Sequence, residues 1–141
     1  MKFIKRNKNT LFALAVAFAL SFFLYGNSID GELMSDEKLV ILRNPLVQDG
    51  LGSLDAIFVK PYYHNQPQAG LYRPFTIATY ALNKAFGYQP FGFHLVNIIL
   101  SALNSFLVFI FVSKIANRKT AYMSLALFSF LPVHTEAVSS V

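Results

Sequence analysis

The chain has 141 residues, 55% hydrophobic and only 13% charged, where an ordinary soluble domain carries about a quarter charged residues. Its net charge of +5 is uneven: Lys2, Lys5, Arg6 and Lys8 precede the first apolar run, Lys114, Arg118 and Lys119 follow the second long one, and all seven acidic residues lie elsewhere. That asymmetry is a membrane pattern and argues against nucleic acid as a partner; with no cysteine present, disulfides and thiolate metal sites are excluded and the compartment stays open.

Leu11 to Gly26 is the first uncharged apolar run, and its length fits either a short transmembrane helix or the core of a signal peptide. Gly26-Asn27-Ser28 is a poor cleavage site, so an uncleaved anchor over about residues 10–26 is the expectation. The segment 27–90 follows, holding six of the seven acidic residues and five of the six prolines. So long a connection is more often functional than idle. Within it, "SDEKLVILRNP" reads as a short helix with Ser35 as cap, Asp36 and Glu37 in the first turn, and Pro45 as its stop. "RPFTIATYALNKAFG" predicts a second helix over 74–86, opened by Pro74 and ended by Gly87. On a helical wheel Thr76, Thr79, Tyr80, Asn83 and Lys84 share an arc of about 140°, with apolar residues filling the rest. At about 18 Å this helix is too short to span, and it is expected to lie in the membrane interface plane. The other reading is an amphipathic helix covering a loop core.

Phe91 to Val112 is the strongest element, about 33 Å long as a helix and without formal charge unless His94 is protonated. His94, Asn97, Ser101 and Asn104 fall within an arc of about 80°, so the stripe should face other helices or a wet cavity rather than lipid. His94, nearest the end, is placed at the membrane interface. Thr120 to Val133 is the third apolar run, and a helix from Lys119 to Glu136 rises about 25 Å, delivering His134 and Glu136 to the opposite face beside the 27–90 loop. The predicted fold is all-α integral membrane. Residues 1–141 form a partial membrane domain with spans at about 10–26, 91–113 and 119–134 and a large outer loop containing short interfacial helices. The basic flanks place the N-terminus and the 113–120 loop in the cytoplasm, and 27–90 outside.

Asp36 and Glu37 are an adjacent carboxylate pair that could act as general base or hold a divalent metal, the one cofactor the sequence raises without establishing it. Acidic residues in a first turn are also favoured on electrostatic grounds alone. His134 and Glu136, two apart, point some 200° apart on a helix and could converge only if the helix ends at Pro132. Arg73 is an outer cation suited to a phosphate or to an ion pair. There is no Gly-rich phosphate loop, G-x-S-x-G elbow or H-E-x-x-H.

Four stretches in this order, "DEKLVILRNPLV", "YRPF", "ALNKAFGYQPFGFHLVNIILSALN" and "PVHTEAV", resemble the polytopic O-mannosyltransferases whose transmembrane helices precede tetratricopeptide repeats, and their bacterial relatives. That resemblance covers most of the chain from Asp36 onward. It implies a C-type (GT-C) glycosyltransferase fold, of which this chain would be a fragment, inactive by itself. It also implies sugar transfer from a polyprenyl-phosphate donor to the hydroxyl of a protein or glycan acceptor, at a periplasmic or lumenal face of the lipid membrane. By position, Asp36 would be the catalytic carboxylate and Glu37 its neighbour, with Arg73, His134 and Glu136 binding substrate near Asp36 at the outer rim. Glu37 stands where the family usually has Asp, and Leu131 and Ser101 where it often has His, which weakens the case for a His-rich metal or proton relay. The chain stops just after "HTEAV", where the family continues, so a longer reading frame is expected. The alternative is a small non-catalytic membrane scaffold or partner subunit.

Overall fold

The computed structural model describes residues 2–31, 35–63, 70–87 and 90–139, with backbone alone for 2–7 and 35–37. Its elements are α1 (Lys2–Tyr25), a 3-10 turn (Gly26–Asp30), α2 (Ser35–Ile41), α3 (Pro45–Gln48), a second 3-10 turn (Gly50–Ser53), α4 (Leu54–Ile57), α5 (Pro74–Ala85), α6 (Pro90–Ile115), α7 (Arg118–Phe130) and α8 (Val133–Ser139). No strand occurs among the described residues. The helices belong to two compact units.

The first unit comprises α1 with its 3-10 turn, α6 from His94 onward, α7 and α8. Small residues four apart let the backbones approach: Ala13, Ala17 and Ser21 on α1 are fully buried, as is Ala121 on α7, and Ser129 nearly so. Phe109 and Leu125 fill the core between them. In membranes such small-residue faces and interhelical hydrogen bonds replace the hydrophobic effect as the cause of packing. Both are present: the Ser129 hydroxyl donates to the Leu125 carbonyl (2.9 Å) and lies 3.0 Å from the Ser105 hydroxyl. The Tyr122 hydroxyl donates to the Asn9 carbonyl at 3.0 Å.

The outward faces are the reverse of a soluble protein's. Phe12, Phe23, Leu107, Phe111, Leu127 and Phe130 are all exposed, far more apolar surface than a water-soluble monomer tolerates. Two helical segments, Lys8–Asp30 and Pro90–Ile115, are long and apolar enough to cross a membrane by length and composition, and only 22% of each is buried. A soluble core helix would be mostly buried; these leave their flanks to a bilayer.

The expected third span is divided. α7 has 13 residues, a rise of about 20 Å, short of the hydrocarbon thickness of about 30 Å. It stops because Pro132 disfavours a helical conformation at the preceding residue; Leu131 is extended (φ −65°, ψ 120°), and α8 begins at Val133.

The second unit, residues 32–93, is folded around its own core, in which Val40, Ile41, Val47, Ile57, Tyr62, Ile77, Tyr80, Ala81 and Phe93 are buried. Asn44 organises it. The Asn44 carboxamide oxygen accepts from the Leu46 N–H (3.0 Å), capping α3, while its NH2 donates to the Tyr62 carbonyl (3.3 Å). Pro45 therefore not only stops α2 but opens α3, its fixed φ suiting the first helical position. The wheel expected for α5 is corrected in one respect. Tyr80, assigned to the polar arc, is buried with Ile77 and Ala81, its ring edge-on to Phe93 at 5.4 Å. Phe75 and Leu82 point to the other side with Phe86, just past the helix end, and all three are exposed. α5 thus has two apolar faces, parted on one flank by Thr76, Thr79 and Asn83 and on the other only by Ala78 and Ala85.

Candidate functional site

The polar stripe on α6 finds its partner through the break at Pro132. α7 ends, the chain turns with the His134 N–H on the Leu131 carbonyl (3.2 Å) and the Thr135 N–H on the Pro132 carbonyl (3.0 Å), and the His134 ring comes back against Phe128, 4.4 Å between centroids. His134 then lines, with Asn97, Ser101 and Asn104, a recess of about 260 Å³ whose apolar walls are Leu100, Phe128, Ala137 and Val138. Nε2 of His134 is buried without a hydrogen-bond partner. Two carboxamides, a hydroxyl and an imidazole around a small volume form a site for hydroxyl groups or several waters, smaller than the usual 300–1,000 Å³ of a drug-sized ligand pocket. The expectation that the stripe faces protein or a wet cavity holds for Asn97 and Ser101, while Asn104 lines the same recess but is exposed. His94 is not at an exposed edge but 2% exposed, with neither ring nitrogen hydrogen-bonded.

Glu136 does not share the recess. It lies two residues from His134 on the same helix, so the pair diverges by about 200°, and Glu136 is exposed while His134 is half-buried. The convergence that an end at Pro132 would have allowed is undone by α8, which restarts the helix before either residue.

The remaining candidates belong to the loop unit. Asp36 and Glu37 lie in the first turn of α2, their side chains outside the described portion. Arg73 immediately precedes α5, and its guanidinium sits 5.6 Å from the centroid of the Tyr62 ring, a cation–π contact that orients the charge. Tyr62 is itself fixed, its N–H donating to the Leu71 carbonyl at 2.8 Å and its carbonyl accepting from Asn44. Beside Arg73 the surface is apolar: Phe58 packs edge-on against Phe75 (5.8 Å), and Val59 and Tyr72 are exposed. Spacing did not foretell this patch, since Phe58 and Val59 come from α4's end and the rest from α5 and its approach. Among the described residues no group of three or more His, Asp or Glu side chains gathers to hold a metal ion.

Against known proteins, the chain is 33% identical to human protein O-mannosyl-transferase TMTC1 over 136 residues, 92% of this chain and 15% of that protein. It is 31% identical to Drosophila melanogaster protein O-mannosyl-transferase Tmtc1 over 137 residues, 93% of this chain and 16% of that one. Human protein O-mannosyl-transferase TMTC3 matches at 38% over 72 residues, half of this chain and 8% of its own length. The chain thus spans about 15% of the length of the curated relatives it matches first. No family model and no solved structure matches.

Proposed function

We propose that this chain is part of a membrane glycosyltransferase that moves a sugar, mannose by analogy with its relatives, from a polyprenyl-phosphate carrier to an acceptor hydroxyl. The observation that carries the reading is similarity over more than nine-tenths of the chain to several proteins named O-mannosyl-transferases. Two further features support it. Lys8–Asp30 and Pro90–Ile115 suit a bilayer, with α7 and α8 proposed as the third crossing. The exposed Phe58, Val59, Tyr72, Phe75, Leu82 and Phe86 suit a loop unit resting on the membrane interface, where a lipid-linked donor presents its phosphate.

In the proposed reaction the Asp36 carboxylate takes the proton of the acceptor hydroxyl. The acceptor oxygen forms a bond to the sugar's anomeric carbon as the bond from that carbon to the phosphate oxygen breaks, inverting the configuration. The polyprenyl phosphate departs with the electron pair, and Arg73 stabilises its charge. Glu37 supports Asp36, and Glu136 binds at the outer face. His134, with Asn97, Ser101 and Asn104, offers hydrogen bonds to sugar or acceptor hydroxyls. The active face is proposed to be periplasmic or lumenal, with the N-terminus in the cytoplasm.

The test is sugar transfer by the longer protein that contains this chain. Asp36→Asn is expected to lower turnover about 10²- to 10⁴-fold, the usual loss of a general base, and Glu136→Gln far less. Near-normal transfer by Asp36→Asn, in protein shown to be folded and inserted, ends the catalytic assignment.

A further inference from the structure

We propose that a second recess, at the basic end of the helical unit, holds the phosphate of an anionic phospholipid headgroup. It is formed by Asn9 and Thr10 on α1, Phe109 and Ser113 on α6 and Arg118 at the start of α7, and encloses about 110 Å³. That is room for a few waters, a size that suits one tetrahedral phosphate group. The walls are fixed: the Tyr122 hydroxyl binds the Asn9 carbonyl (3.0 Å), and the Tyr122 ring packs 4.8 Å from Phe109. Phe109, only 4% exposed, supplies an apolar floor.

Arg118 is the one formally charged side chain among these lining residues. The Ser113 hydroxyl already donates to the Ile110 carbonyl (2.8 Å). The first turn of α7 is capped from within, Asn117 Oδ1 accepting from the Thr120 N–H (3.0 Å), so the helix end is not what an anion would satisfy. Arg118 is exposed and makes no ion pair among the described residues, and its planar fork matches phosphate geometry. Lys8, Lys114 and Lys119 are exposed at the same end. No acidic residue occurs between Met1 and Ile29 or between Phe91 and Thr135, so the chain offers this cluster no local counter-charge. The recess also lies where Lys8–Asp30 begins and Pro90–Ile115 finishes, the height of lipid headgroups if those segments cross. A lipid phosphate is therefore favoured over a soluble one.

The experiment reconstitutes the full chain in nanodiscs of phosphatidylcholine containing a minor fraction of phosphatidylglycerol, then counts phosphatidylglycerol retained per protein by native mass spectrometry. Enrichment over the bulk lipid ratio is expected for the unmodified chain. Arg118→Gln should reduce the affinity behind it about fivefold, the weight of one basic residue at an anionic surface, with Arg118→Lys falling between. Lys60→Gln, which removes one charge from the loop unit, should leave the enrichment unchanged. Equal enrichment in Arg118→Gln and the unmodified chain overturns the proposal, as does an equal loss in Lys60→Gln or failure of the chain to enter the discs. Thermal stabilisation in neutral detergent by millimolar inorganic phosphate, lost in Arg118→Gln, overturns the lipid and leaves a soluble anion.

Discussion

Asn44 is 2% exposed and joins two parts of the loop unit that are far apart in sequence, which makes Asn44→Ala an exacting test of that unit's architecture. The substitution removes the side-chain cap of α3, worth about 1 kcal/mol. It also leaves the buried Tyr62 carbonyl without its donor, at about 1–2 kcal/mol, taken toward the low end because the bond is long at 3.3 Å. The sum of about 2–3 kcal/mol corresponds to an opened population raised about 30- to 150-fold, at 1.36 kcal/mol per factor of ten. The chain has no cysteine, so Ala81→Cys, at a fully buried α5 position, gives a single reporter whose maleimide labelling rate in detergent tracks opening. Asn44→Ser should fall between, since it can cap α3 but cannot reach Tyr62. Asn44→Asp should be at least as damaging as Ala, because it caps but replaces the donor with a buried charge. Acceleration of less than about threefold by Asn44→Ala would falsify the assignment of Asn44 as the joint of this unit. Labelling of Asn44→Ser at the unmodified rate would show that the Tyr62 bond contributes nothing.

Two other outcomes are expected. With an impermeant reagent applied outside, Leu51→Cys should label and Asn117→Cys should not if, as proposed, the basic flanks keep the α6–α7 turn in the cytoplasm; the opposite pattern refutes the proposed orientation. Gly31→Ala should lower thermal stability by about 1–3 kcal/mol, since an added Cβ would lie 2.8 Å from the Ser28 carbonyl oxygen and 3.3 Å from His94 Nε2. Gly26→Ala, whose Cβ meets nothing within 4 Å, should be neutral, and equal effects of the two would contradict the packing of Gly31 against His94.

The sequence determined whatever depends on spacing along one helix. Sixteen or more apolar residues with basic flanks, Pro74 before an amphipathic stretch, and polar residues at offsets of three and four each constrain the chain within a few turns. α5 and α6 accordingly stand close to their expected limits, while α1 ends near its expected stop but begins at Lys2 rather than near residue 10, and Asn97, Ser101 and Asn104 share a recess. Spacing does not say what a face meets. The binary pattern of α5 was compatible with burying either apolar flank, and only Tyr62, Phe93 and the α3 core, brought in from elsewhere in the chain, decided that Ile77, Tyr80 and Ala81 go inside while Phe75 and Leu82 stay out. His134 joined the α6 stripe, and Glu136 did not, because α8 restarts after Pro132; a proline marks where a helix stops but not the direction in which the next one leaves. The basic recess likewise takes its lining from α1, α6 and the start of α7, helices joined by contacts such as that of Tyr122 with Asn9 across 113 residues, which no local interaction encodes.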